Sequence, residues 1–346
     1  MQPYDHEQIV HCYDPATGLK AIIAVHSTAL GPAMGGTRMW NYTSDDEALT
    51  DVIRLARGMT YKSAISGLNV GGGKAVLIGN PQRLKNEAYL RRFGRFIDGL
   101  GGKYVTAGDV NMTLHDLEYI SMETRYVTGL PETVGGSGSS GLITAYGVYM
   151  GMKAAAKEAY GTDSLEGKKV AVQGVGAVGR KLTEYLVKEK AIVFVSDISE
   201  EKLQQVSREF GAHVVSRDGI YDIPADIYAP CALGATLNNE TIARLTCQVI
   251  AGGANNQLAD EQKHGALLQE KGIIYAPDFL VNAGGIMAVA AEYFGKYSKE
   301  YLFQKAERIY DTCRTVLQQA SQQKIPSYQV AMQVAEDRIA AISQLR

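Results

Sequence analysis

Apolar residues along this chain fall into two kinds of segment: short runs of strand type, and longer stretches spaced at three and four. Leu19-Lys-Ala-Ile-Ile-Ala-Val-His26 reads as a buried strand, and Gly31 to Trp40 as a glycine-rich turn into another extended segment. Ser44-Asp-Asp-Glu47 is a capping box that predicts a helix with Ala48, Leu49, Val52, Ile53 and Ala56 on its apolar face. That helix is expected to end near Gly58 and to deliver Met59-Thr-Tyr-Lys62 beyond it. A strand is predicted behind Lys74, and another over Tyr104 to Val110 that ends at Asp109. Pro131 to Gly141, PETVGGSGSSG, reads as a linker or hinge.

Beyond it the pattern alternates. A helix over Thr144 to about Tyr160 precedes a strand at Val170, a helix carrying Val178, Leu182 and Leu186, and a strand over Ile192 to Val195. Helices follow over Ser199–Phe210, Asn239–Leu245 and Asp260–Lys271, with strands at His213–Val215, Asp226–Ala229, Val249–Ala251 and Ile273–Tyr275. Amphipathic helices over Glu300–Gln322 and Tyr328–Arg346 close the chain. The predicted class is α/β with two domains: an N-terminal α/β domain, then a Rossmann-type, doubly wound parallel sheet.

Composition narrows this picture. A chain of 346 residues exceeds one ordinary core, in keeping with two domains. The formal net charge is −2 without a block of like charge, which argues against nucleic acid or an anionic membrane surface as partner. No apolar run reaches the length of a membrane span, and MQPYDHEQIV has no basic leader before an apolar core, so a cytoplasmic location is expected. Cys12, Cys231, Cys247 and Cys313 are scattered and the histidines dispersed, so neither a disulfide frame nor a metal site is expected.

The chemistry begins at Gly174-Val-Gly-Ala-Val-Gly179, a G-x-G-x-x-G directly after a strand and opening a helix. Gly174 permits the turn, Gly176 lets the backbone approach a pyrophosphate at the helix N-terminus, and Gly179 lets helix and strand pack closely. Asp197, ending the second strand, can accept from ribose hydroxyls and would repel a 2′-phosphate, so the expected cofactor is NAD. The segments Pro230–Ala232, Gly252–Asn256 and Asn282–Gly285 fall at carboxyl ends of strands, where such sheets bind ligands.

A second cluster lies earlier. Three glycines before Lys74 suggest close approach of the main chain to a small ligand. Lys62 and Lys74 together can divide the work, one binding an anionic group and the other serving as a base once its neighbour's field and burial favour the neutral form. Asp109 either joins them or caps the helix that begins near Thr113.

TRMW, RLARGMTYK, GLNVGGGK, TAYGVYMGMKAA, VAVQGVGAVG, DIYAPCALGA, ANNQL and YAPDFLVNAGG together resemble the glutamate/leucine/phenylalanine/valine dehydrogenase family, most of all its leucine branch, over nearly the whole chain. The resemblance implies NAD-dependent, reversible oxidative deamination of an L-amino acid to a 2-oxo acid and ammonia. It implies that Lys62 binds the substrate carboxylate, Lys74 is the catalytic lysine and Asp109 shuttles protons, with Gly35, Gly36 and Met59 at the substrate. Asn282 then lies near substrate and nicotinamide, and Thr144, Val175, Ala177, Val178, Cys231, Ala232 and Asn255 near the cofactor. Met34 and Val289 stand where glutamate-specific relatives place a lysine and a serine, so an apolar pocket of Met34, Ala107, Ile286 and Val289 is expected to exclude glutamate. Ser139-Ser-Gly-Leu-Ile143 replaces a proline-containing segment of the leucine branch, and Gly108 stands where an acid is common.

Leucine, isoleucine and valine are the expected substrates, with phenylalanine or tryptophan as the alternative. An NAD-sensing module without turnover is the reading from another class, and oxidation of a 2-hydroxy acid would want a His/Arg pair instead of two lysines. Expected domains are 1–130 for substrate and oligomerisation, 131–325 for NAD, and a helix over 326–346 returning to the first, with a homo-oligomer, dimer or octamer, as the assembly.

Overall fold

The protein is described from a computed structural model that covers residues 5–345; the expected helix end at Arg346 lies outside the described residues. In chain order its first half holds strands β1 (Gln8–Asp14), β2 (Leu19–Ser27) and β3 (Ala33–Trp40), helix α1 (Asp45–Ile65), and strand β4 (Gly71–Ile78). Helices α2 (Pro81–Leu84) and α3 (Glu87–Asp98), strand β5 (Tyr104–Gly108) and helix α4 (Leu114–Ser121) follow. The second half runs α5 (Gly141–Tyr160), β6 (Lys169–Gln173), α6 (Ala177–Lys188), β7 (Ile192–Ser196), α7 (Glu200–Phe210), β8 (His213–Val214), β9 (Ile227–Pro230), α8 (Asn239–Arg244) and β10 (Val249–Ile250). It ends with α9 (Glu261–Glu270), β11 (Ile274–Tyr275), α10 (Asp278–Val281), α11 (Gly284–Tyr293), α12 (Lys299–Gln323) and α13 (Ser327–Ser343).

The chain divides into two compact units, one of residues 1–140, 286–298 and 335–346, the other of 141–285 and 299–334. In the first, a mixed sheet has the order β1-β2-β4-β3-β5, with β3 parallel to both β4 and β5. Side chains alternate across it. Ile22, Ala24 and Val76 pack under Ala48, Val52 and Ala56 of α1, while Ala21, Ile23, Ala75 and Leu77 face Tyr89, Leu90, Phe93 and Ile97 of α3. Each of these large side chains contributes roughly 1.5–3 kcal/mol of burial. Within this unit Arg338 donates to the carbonyls of Ala64 and Leu68 at 3.2 and 2.7 Å.

Helix α1 starts where its capping box predicts, with Ser44 Oγ accepting the Glu47 N–H at 3.1 Å, but the reciprocal arm does not form, since Glu47 Oε2 accepts the Thr43 N–H at 2.7 Å instead. It does not end near Gly58. A mid-helix glycine costs only about 1 kcal/mol, and buried Thr60, Tyr61, Ser63, Ala64 and Ile65 carry the helix to Ile65, where Gly67 at φ 67° turns the chain away. Lys62 therefore sits in the last helical turn.

The second unit contains six parallel strands in the order β11-β10-β9-β6-β7-β8. Read from β8 this is the doubly wound order, in which the chain steps one way from β6, then returns to start again at β9. Ala171, Tyr228 and Ile250 share a core with Ile242 of α8 and Leu268 of α9, while the alternate residues Val170 and Val172 are buried on the opposite face. No helix is long and apolar enough to cross a membrane, among the described residues.

The linker expectation for Pro131 to Gly141 is corrected in its first part. Gly136 and Gly138 donate back to Pro131 O and Leu130 O at 3.0 and 2.9 Å, so the segment closes on itself.

Candidate active site

In the first unit, parallel pairing of β3 with β4 and β5 brings three charged side chains to one place. Lys74, on β4, is buried, and its Nζ lies 2.7 Å from Asp109 Oδ2, just past the end of β5. Arg38, on β3, donates from Nε to the same oxygen at 3.1 Å. Its Nη1 donates to Asp51 Oδ2 at 3.2 Å, and that oxygen also accepts the Tyr42 hydroxyl at 2.5 Å. Burial pushes the Asp109 carboxyl up, but the charges of Lys74 and Arg38 outweigh it and hold the group below the ordinary carboxylate range.

Asp109 is thus an ionised acceptor between two cations rather than a helix cap. The cap of α4 is Thr113, in a capping box with Asp116. Arg38 is the partner that sequence reasoning missed; TRMW contains it, but only the register of β3 against β5, Thr37 opposite Gly108, shows that it reaches Asp109.

The glycines around this cluster are there for packing. A Cβ on Gly71 would lie 1.9 Å from Ser27 O, one on Gly72 2.1 Å from Thr60 N, and one on Gly73 2.8 Å from the Tyr104 ring. Ligand approach therefore does not explain the triple glycine: the Ser27 backbone, α1 and Tyr104 occupy the space. A Cβ on Gly35 would strike Gly73 O at 1.8 Å and approach Met59 Cγ at 3.2 Å, and one on Gly36 would meet Gly108 O at 2.6 Å and Asp109 Cβ at 3.0 Å. Close backbones let α1, with half-buried Lys62, settle on β4.

Of the expected apolar pocket, Met34, Ala107 and Ile286 are buried and Val289 is half-buried, all in the first unit. Met34 pairs with Gly72, two residues before Lys74, which puts it on the Lys74 face of the sheet. Ala107 and Val289 both border Gly129: a Cβ there would lie 3.7 Å from Val289 Cγ1 and 3.9 Å from Ala107 Cβ.

In the second unit the three motif glycines separate by role. Gly174 has φ 95° and a Cβ there would meet Ala232 N at 2.8 Å; one on Gly179 would meet Gly174 O at 1.9 Å. Gly176 faces open space and starts α6 without a side-chain cap, leaving N–H groups for an anion. Asp197 stands at the end of β7, its Oδ2 accepting Val175 N–H at 2.7 Å and its Oδ1 Ser199 N–H at 2.9 Å. Each oxygen retains a free lone pair. Ala177 and Val178 open α6, and Thr144 is buried on α5, its backbone against Gly284.

Past β9, Cys231 Sγ accepts from Gly253 N at 3.4 Å, and burial pushes the thiol up to about 11, so it is no nucleophile at neutral pH. Asn282 is buried; its Nδ2 donates to Asn255 Oδ1 at 2.8 Å and faces the carbonyls of Gly253 and Ala254, while its Oδ1 has no partner. A buried acceptor without a donor, together with an uncapped helix start behind Gly176, fits a dinucleotide with a carboxamide at one end and a pyrophosphate in its middle. No cluster able to hold a metal occurs among the described residues.

Residues 6–126 match the family model described as Glu/Leu/Phe/Val dehydrogenase, dimerisation domain, and residues 135–202 and 198–346 match Glutamate/Leucine/Phenylalanine/Valine dehydrogenase. The chain is 55% identical over all 346 residues to leucine dehydrogenase of Thermoactinomyces intermedius, covering 94% of it. It is 45% identical over 340 residues to phenylalanine dehydrogenase of Caldalkalibacillus thermarum, across 97% of this chain and 91% of that one. The crystal structure of L-tryptophan dehydrogenase from Nostoc punctiforme superposes with a TM-score of 0.85 at 44% identity, over 98% of this chain and 97% of that one.

Proposed function

Because the chain belongs to the glutamate/leucine/phenylalanine/valine dehydrogenase family, we propose that it acts on an apolar, branched-chain L-amino acid with NAD as hydride acceptor. The family catalyses oxidative deamination of amino acids with NAD(P), and the chain is accordingly an amino-acid dehydrogenase. The observation that carries the mechanism is the single oxygen of Asp109 shared by Lys74 and Arg38.

NAD, held by the N-terminus of α6 behind Gly176 and by Asp197, would supply the hydride acceptor for oxidation of the substrate amine to the imino acid. Lys62 holds the substrate carboxylate. Lys74, after handing its own proton to Asp109 2.7 Å from its Nζ, takes a proton from the water that attacks the imino carbon, and Asp109 passes a proton on to the departing nitrogen. Ammonia and the 2-oxo acid leave. Buried Met34, Ala107 and Ile286, with Val289, favour an apolar side chain and would strand a glutamate carboxylate at a cost of several kcal/mol. The charge of Asp197 beside the glycine loop supports NAD over NADP. A homo-oligomer is supported by the description of the matched N-terminal family domain as a dimerisation domain.

The test is NADH formation from leucine, isoleucine, valine, phenylalanine, tryptophan and glutamate run side by side, with the Lys74→Ala variant alongside. Branched-chain turnover should exceed the rest, and the variant should lose roughly 10²–10⁴-fold in kcat while still binding NAD. Preference for an aromatic substrate would overturn the substrate, full activity of the variant would overturn the mechanism, and NAD binding without turnover would make the protein a sensor.

A further inference from the structure

Selection of side chains by Val289 and Ala107, the reading this step rests on, requires α11 to stay at a fixed height beside Gly129. Val289 makes no polar contact that could hold it there. Three residues further on the same helix face stands Glu292. Its Oε2 accepts the N–H groups of Gly129 at 2.9 Å and Ser137 at 2.7 Å, and its Oε1 accepts that of Leu130 at 3.3 Å. The Tyr297 hydroxyl holds the other side of the same residue, donating to Ser137 O at 3.2 Å.

The gripped segment is built to be rigid. Gly136 cannot be replaced without a clash, since a Cβ there would lie 2.1 Å from Leu130 O. Gly129 has φ 75°, and a Cβ there would lie within van der Waals distance of Leu117, Val289 and Ala107. One carboxylate therefore ties the residue lining the pocket on one side to the helix lining it on the other. Three converging N–H donors call for an acceptor without hydrogens of its own, which a carboxylate is and an amide is not.

We infer that Glu292 is a positioning residue for substrate choice: by gripping the backbone of Gly129, Leu130 and Ser137 it fixes the position of Val289 relative to Ala107 across Gly129 and sets the side-chain size the pocket accepts.

In Glu292→Gln one end of the side chain turns an NH₂ toward backbone donors. The grip loosens and α11 moves away from β5, so small substrates lose contact while larger ones gain room. The experiment measures kcat and KM for L-leucine and L-phenylalanine in the full chain, for wild type, Glu292→Gln, Glu292→Asp and Val289→Ala, with melting temperatures alongside. The expected result is that the leucine-to-phenylalanine ratio of kcat/KM falls about tenfold in Glu292→Gln, the scale of a methylene-sized change in a pocket. The fall should come mainly through KM for leucine, with Glu292→Asp, which keeps both acceptors on a shorter stem, in between.

A Glu292→Gln protein that melts earlier but keeps its ratio within twofold of wild type, while Val289→Ala changes it, refutes the inference and leaves the pocket standing. An unchanged ratio in Val289→Ala refutes the pocket itself and the inference with it. Should Glu292→Gln fail to fold, Glu292→Asp decides: a folded variant with an unchanged ratio overturns the positioning role.

Discussion

Replacing Arg38 by glutamine removes one of two cations from Asp109 and leaves Lys74 in place. At the 3.1 Å that separates Arg38 Nε from Asp109 Oδ2, two unit charges attract by about 1 kcal/mol in water and about 5 kcal/mol at an effective dielectric constant near 20. The guanidinium and carboxylate side chains are 25% and 23% exposed, Lys74 remains on the same oxygen, and Asp51 keeps the Tyr42 hydroxyl. The net loss of stability should therefore be about 1–2 kcal/mol at neutral pH. Because the folded protein holds the Asp109 carboxyl below its ordinary 3.8, the stabilisation is complete above that value and disappears as the pH falls through the folded one. The deficit of Arg38→Gln should consequently be full at pH 7 and shrink in strongly acid solution, where both proteins protonate Asp109. Activity should follow the same group: with one cation gone Asp109 takes up a proton more readily, so the acid limb of kcat/KM moves to higher pH, and Arg38→Lys largely restores it. Melting temperatures from pH 7.5 downward and a pH series of initial rates measure both. An acid limb unmoved in Arg38→Gln, with a melting deficit independent of pH, would show that Arg38 only packs.

Two further outcomes concern the cofactor. Gly176→Ala, whose Cβ enters open space, should melt within a few degrees of wild type but bind NAD about tenfold more weakly, as read by fluorescence titration of NADH. Gly179→Ala, whose Cβ would sit 1.9 Å from Gly174 O, should instead be destabilised by roughly 1–3 kcal/mol. If the two variants behaved alike, the separate roles given to these glycines would be wrong. Asp197→Ser removes the charge facing a 2′-phosphate while keeping an acceptor near Val175 N–H, and the NADP-to-NAD ratio of kcat/KM should rise about tenfold or more; an unchanged ratio would place cofactor choice elsewhere.

Local signals carried much of this. The alternation after Val170, the strand, turn, helix and acid of the nucleotide motif, and the Ser44 cap all report on neighbours in sequence, and each appears in the fold, though the Glu47 carboxylate of the S-x-x-E box accepts from Thr43 instead of closing back on Ser44. The helix end at Gly58 did not read correctly because a glycine's intrinsic cost is smaller than the burial of the five residues that follow within α1. Strand β1 has no clean alternation and exists by antiparallel pairing with β2, which no local pattern announces. Arg38 and Glu292 were invisible for a related reason. Each makes its decisive contacts with residues 71 and 155 to 163 positions away, and a charged residue on a strand or late in an apolar helix looks like surface until register supplies its partner.

The glycines show how far residue type alone can carry an assignment. GGG before Lys74 and GVGAVG after β6 look alike as backbone that something must approach, yet every glycine of the first run faces another part of the protein, while Gly176 faces none. In the first case the approaching bodies are Ser27 O at Gly71, α1 at Gly72 and the Tyr104 ring at Gly73, and the consequence for chemistry is indirect: the missing side chain of Gly72 lets Thr60, two residues before Lys62, settle on β4 two residues before Lys74. In the second a Cβ on Gly176 would meet nothing within 4 Å, the condition that close approach of a pyrophosphate requires. A substitution at Gly72 should therefore disturb stability and substrate handling together, because the helix that carries Lys62 is displaced, whereas one at Gly176 should leave both the fold and the Lys74–Asp109 pair untouched and act on the nucleotide alone.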